Sequence, residues 1–284
     1  MAVDAFIKFD GLEGEAHKVS NDFDRLGDGF TDLGGAFIKL MDDGSSSDTN
    51  FFKVHFTPQI KHDVFAIDQG FFKVGEDFIK LADPLQTFDN AVIKFWDETL
   101  KITPSDSETP SPLDNLKADF LAFTSDLNST GLAFLGAASD IKGSPTESLS
   151  LTFNKISVEY QNQSDDVLKI KQDIVDLLDT SGISESKVGE SFIKFTLETV
   201  VISSAALSLS TDFHKISTDL AVASDSGPMT FDQVVVKFAD DFIKLAQDLK
   251  IADSAFTALG GDIVKLGEAL EHPGPMTTPT FKLG

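Results

Sequence analysis

Apolar residues recur along this chain with an alternation of four and three positions, and residues 231–270 show it most regularly. There the series runs Phe231, Val235, Phe238, Phe242, Leu245, Leu249, Ala252, Phe256, Leu259, Ile263, Leu266, Leu270. This spacing keeps one stripe on one face of a helix, whereas a strand would alternate every second residue. Four earlier segments carry the same stripe. One runs from Val64 through Phe71, Phe78 and Phe88 to Phe95, and another from Leu113 through Phe120 and Phe134 to Ile141. The next two run from Leu149 through Tyr160 to Leu177, and from Val188 through Phe213 to Leu220. A shorter stripe, Phe23, Leu26, Phe30, Leu33, Phe37, Leu40, is interrupted by Gly27, Gly29, Gly34 and Gly35, each costing about 1 kcal/mol relative to alanine in a helix.

The pattern predicts an all-α protein. Helices are expected at roughly 21–41, 59–102, 113–142, 147–179, 187–223 and 231–271, with an N-terminal segment at 1–20 and a proline-rich tail at 272–284. Residues 3–9 fit either a strand or a helix start. Breaks are expected at the loop 42–50, at the Pro/Ser-rich linker 103–112 and at Gly227–Pro228, with Thr230 capping the last helix. Pro84 implies a kink or a junction between two helices. Short connections force neighbours to run antiparallel. The expected architecture is therefore an elongated antiparallel bundle of about five long helices plus a shorter N-terminal one. A seven-residue repeat sustained this long implies left-handed supercoiling.

One phrase, Phe-x-Lys-apolar, recurs at 6, 37, 51, 71, 78, 153, 192, 213 and 242, and 232–256 matches 68–92 over its Asp-Gln and Asp-Phe-Ile-Lys-Leu-Ala elements. Heptad patterning alone would repeat the apolar class but not those identities, so the chain reads as grown by duplication of an amphipathic helix. Within the phrase the Phe is expected to pack the core, with the Lys beside it balancing neighbouring acids.

Composition narrows the function more than it identifies it. The net charge is −23 and Arg25 is the single arginine, which argues against nucleic acid and anionic membranes as partners. Absence of cysteine removes thiolate chemistry, disulfides and thiolate metal sites. The opening residues lack the pattern of a cleaved secretory signal, which suits the cytoplasm or bacterial export without a cleaved signal. No apolar stretch is expected to reach the roughly 18 to 20 residues that a membrane span requires.

Catalytic chemistry finds no foothold in the pattern. His17, His55, His62, His214 and His272 are scattered, and only His55 with His62 and Asp63 has a spacing that could meet a metal; solvated histidines are the expectation. Asp22, Asp24, Asp28 and Asp32 lack the glycine and closing glutamate of a calcium loop and read as a solvated acidic face. No catalytic, cofactor-binding or metal-ligating residue is expected, no cofactor is expected, and the chain is read as not an enzyme. The uncharged stretch 199–211, TVVISSAALSLST, is the one that invites a role, either as the most enclosed part of the core or as a segment released to a membrane or partner.

The opening AVDAFIKFDGLEGEAHK resembles the first strand and turn of the haemolysin-coregulated tube proteins of type VI secretion systems. The matching positions are Phe6, Ile7, Lys8, Phe9, Asp10, Gly11, Gly14 and Glu15. That family folds as a β-barrel, and the resemblance implies a bacterial source and export; its tube function is not carried over to a chain that reads as helical after Lys18.

The leading expectation is a structural or interaction protein that binds a protein partner or associates with itself. The second is a bundle that opens onto a membrane, led by 199–211, and the third is a carrier of a small apolar ligand.

Overall fold

The computed structural model describes residues 11–45, 58–100, 111–142, 146–225, 227 and 229–273. These form α1 (Leu12–Ser45), α2 (Pro58–Leu100), α3 (Pro112–Ile141), α4 (Thr146–Ser181), α5 (Lys187–Asp225), α6 (Phe231–Lys237) and α7 (Ala239–Glu271), with no strand among them. Helix starts follow local chemistry. Ser111 caps α3, its hydroxyl accepting from the Asp114 N–H while the Asp114 carboxylate accepts from the Ser111 N–H, and Pro112 takes the first turn, where no amide is missed. Thr230 caps α6, and the Gln233 side chain accepts from its N–H at 3.0 Å.

The six long helices close into a ring. Each packs on its chain neighbours in the order α1, α2, α3, α4, α5, α7, and α7 returns to pack on α1. The closing pair is antiparallel: Gly267 lies against Ala16, Gly260 against Ser20, and Gly34 against Ala246. Aromatic rings fill the axis. Phe30 meets Phe78 and Phe256, Phe78 meets Phe134, Phe134 meets Tyr160, and Tyr160 stacks on Phe213 at 5.9 Å. These six rings come one from each long helix, so a single layer ties the whole ring together.

Three expectations change. The first helix is neither short nor weak: it begins at Leu12, runs 34 residues, and buries Val19, Phe23, Phe30 and Phe37 completely. Its glycines mark where neighbours come closest, since a Cβ on Gly34 would lie 3.0 Å from the Ala246 carbonyl oxygen. The last helix is broken at Phe238 (φ −112°, ψ 38°), which separates α6 from α7. Periodicity shows the apolar class continuing and cannot show that α6 packs mainly on α1 while α7 also packs on α5. Helix α2 stays one element through Pro84, so no junction forms there.

Residues 3–9, 46–50 of the expected loop, 103–110 of the linker, most of the tail, His55 and the phrases at 6 and 51 lie outside the described residues. Of the positions shared with the tube proteins, Gly11 forms a turn with φ +90°, and Gly14 and Glu15 lie in the first turns of α1. The repeat is visible in three dimensions, though out of register. Phe78 packs on Phe30, whereas its counterpart Phe242 packs on Phe37, one heptad further along α1.

A candidate interaction surface on α5

Helix α5 differs from its neighbours on every side. Its inner face, with Val188, Phe192, Ile202, Leu209, Phe213, Ile216 and Leu220, is wholly buried. Its outer face is apolar as well. Ile193, Leu197, Val200, Val201 and Leu207 are 42%, 61%, 42%, 45% and 47% exposed; Lys194 and Glu198 lie among the first of them, and from Thr199 to Thr211 there is no charge. By length and composition alone α5 is long and apolar enough to cross a membrane, with half of its most apolar segment buried. This corrects the sequence expectation, which counted only the uncharged run and not the apolar residues flanking it.

Serines bring α5 close to α4. Ser150, Ser157 and Ser164 recur every seven residues on α4 and meet Ser217, Ser210 and Ser203 on α5. The Ser150 and Ser217 hydroxyls each donate to the other's carbonyl oxygen at 2.8 Å, the Ser157–Ser210 hydroxyls lie 3.2 Å apart, and the Ser164–Ser203 hydroxyls 2.8 Å. Small side chains let the two backbones approach, and paired hydroxyls satisfy one another out of water.

The other flank of α5 is held by charge. The sequence Asp212-Phe-His-Lys215-x-x-x-Asp219 faces Asp241-Phe-Ile-Lys244-x-x-x-Asp248 of α7, the same pattern run antiparallel. Lys244 donates to Asp212 and, at 2.8 Å, to Asp248; Lys215 donates to Asp219 at 2.6 Å and to Asp241 at 3.1 Å. Each lysine thus bridges two carboxylates. Burial pushes Asp212 up to about 6, opposed by the Lys244 hydrogen bond and reinforced by Asp248. Burial likewise raises Asp219, with Lys215 opposing and Asp241 adding to the rise. Towards the other end the surface of this seam carries an open groove of about 530 Å³ lined by Glu198, Val201, Gln247, Lys250, Ile251 and Ala255 among others.

Carboxylates also meet carboxylates between α3 and α4. Burial raises Asp126 to about 7, with the charge of Asp166 and a hydrogen bond to it adding to the effect. Asp173 is raised to about 7 by burial and then by its hydrogen bond with Asp119. At the bundle axis, Asp89 is raised well above the usual carboxylate range by complete burial, with Thr124 as its hydrogen-bonding neighbour. It borders an apolar cavity of about 20 Å³, room for one water molecule.

The Phe-x-Lys phrase divides as its pattern suggests. Phe37, Phe71, Phe78, Phe153, Phe192, Phe213 and Phe242 are fully buried. Lys39 reaches Asp63 at 3.0 Å, Lys73 reaches Asp32 at 2.8 Å, and Lys80, Lys215 and Lys244 are also ion-paired. The Asp63 beside His62 is therefore paired with Lys39, His62 lying 3.7 Å away. Asp22 pairs with Arg25 at 3.1 Å. Among the described residues no three His, Asp or Glu side chains are grouped so as to hold a metal.

Sequence reasoning found 199–211 by its missing charge but overlooked the serine seam and the acid pairs, although the seven-residue spacing of Ser150, Ser157 and Ser164 was there to be read. No family model, no curated protein and no solved structure matches the chain.

Proposed function

We propose that this is a non-enzymatic interaction protein that associates with a second copy of itself through the outer face of α5. The observation that carries the reading is the exposed apolar stripe Ile193, Leu197, Val200, Val201, Leu207, free of charge from Thr199 to Thr211, on a chain of net charge −23. Two copies repel wherever acidic faces meet, so a contact between them favours the strip that carries no charge. An apolar strip is self-complementary, as a two-fold contact requires. Its exposed apolar area, of the order of 500 Å² with the flanking Ile251, is at the upper end for patches on monomers. It falls short of the roughly 800 Å² per partner of a standard stable interface, so the dimer is weak and concentration-dependent.

Sedimentation equilibrium tests this directly. The wild type should rise from its monomer mass of 30.7 kDa towards twice that value with concentration. The double variant Leu197→Gln/Leu207→Gln should remain monomeric. A wild type that stays monomeric at millimolar concentration removes the reading.

A second reading has its own observation, the membrane-compatible length and hydropathy of α5. On that reading α5 meets a neutral lipid surface instead of its own copy. Flotation with phosphatidylcholine vesicles separates the two, since a self-associating protein stays in solution. For the carrier reading, the axial cavity of about 20 Å³ offers space for a water molecule and nothing larger.

A further inference from the structure

We propose that the α5–α7 seam is a proton-operated clasp, which holds α5 in the ring when it carries a shared proton and loosens when that proton leaves. The proposal rests on the α5 reading only for its consequence, because loosening the seam would alter how α5 is presented.

The geometry is two triplets, Asp212–Lys244–Asp248 and Asp219–Lys215–Asp241, stacked one heptad apart. In each, two carboxylates share one ammonium. With both carboxylates ionised a triplet carries −1; with one proton between them it is neutral, and the protonated oxygen donates to the ionised one. Asp212 is 4% exposed and Asp219 7% exposed, while Lys215 and Lys244 are about half exposed, so water screens the surplus charge only in part. Among the described residues, no cation besides Lys215 and Lys244 is ion-paired with these carboxylates. Helix α4 presents Ser150 and Ser157 to this part of α5. Beyond α7, the α1 charges Lys39 and Asp32 pair with Asp63 and Lys73 of α2. One shared proton per triplet neutralises it. The folded-state values of Asp212 and Asp219 agree in direction, both being raised.

At its other end the seam is bordered on the surface by the groove between Val201 and Ile251. The triplets lie in the half near the α5 C-terminus. The duplicated Asp-Phe-x-Lys-x-x-x-Asp pattern gains a purpose here: run antiparallel, it meets itself and builds both triplets at once.

Amide hydrogen exchange, corrected for intrinsic rates, reads the clasp on the intact dilute protein. Between about pH 5.5 and 8.5, protection of peptides covering 205–218 and 240–250 should fall at least about tenfold. In Asp241→Asn/Asp248→Asn, each triplet keeps one carboxylate and one ammonium, and the fall in those peptides should shrink to less than about threefold. Peptides of α3 should keep their wild-type profile. If the double variant does not fold, Asp248→Asn alone, at the rim of the seam, should flatten the profile of 242–250. Protection that is the same at all pH values, or an undiminished fall in the variants, overturns the clasp. Sedimentation reads self-association separately, so the failure of either proposal leaves the other legible.

Discussion

Gly75 and Gly131 face each other where α2 crosses α3. A Cβ built on Gly75 would lie 2.8 Å from the Gly131 carbonyl oxygen, and one on Gly131 would lie 2.7 Å from that of Gly75. Backbone is what blocks the space, and backbone cannot rotate away. Gly131→Ala should therefore force the two helices apart at a cost of about 2 kcal/mol despite alanine's better helix propensity. Thermal unfolding should show the midpoint falling by about 5 °C. At Gly35, where a Cβ meets nothing within 4 Å, the same substitution should stabilise by up to about 1 kcal/mol.

Mild acid should tighten this bundle. Asp126 and Asp173 are raised to about 7 and Asp212 to about 6, from the ordinary aspartate value of 3.8. Between about pH 4 and 7 the folded chain then binds more protons than the unfolded chain, and stability falls as pH rises through that window. The midpoint measured near pH 5.5 should exceed that near pH 8 by several degrees. Asp126→Asn should flatten the profile. A bundle that opened onto membranes in mild acid would show the opposite slope.

The serine pairs invite a double-mutant cycle. Removing both hydroxyls at once, in Ser157→Ala/Ser210→Ala, leaves no unpaired group and should change stability by less than about 1 kcal/mol. Ser210→Leu should cost about 3 kcal/mol, because it forces a large side chain into the buried contact with Ser157 and wedges α4 from α5. Urea unfolding of the single and double variants measures both.

Asp89 is fully buried, with Thr124 as its hydrogen-bonding neighbour. Its ionised form is the costly one, so Asp89→Asn should raise stability at pH 8 more than at pH 5.5. Unfolding curves at the two pH values give the difference.

The reach of the sequence is clear from particular residues. Phe78 and Phe213 could be placed in the core because large apolar side chains at four-three spacing have few other uses. The start of α1 at Leu12 could not, since Gly11, Gly14 and the polar residues up to Asn21 weaken the very pattern being read. Serine hides a packed interface: Ser157 and Ser210 are small rather than apolar, and a hydrophobic pattern passes over them. Asp212 reads as a surface acid in sequence, and only the ring brings Asp248 and Lys244 to it. The α5 stripe was half legible, since missing charge marks 199–211 but not which of its residues face outward.

The most direct test of the α5 account uses the chain's lack of cysteine. Ser204 is exposed midway along the outer stripe, and Thr87 is exposed on α2. Single variants Ser204→Cys and Thr87→Cys, treated with a short bis-maleimide and resolved by denaturing electrophoresis, report which face meets its copy. The account predicts covalent dimers from Ser204→Cys that grow with protein concentration, and only background from Thr87→Cys. Equal cross-linking from the two positions, or none from Ser204→Cys at concentrations where the wild type is dimeric, would contradict it.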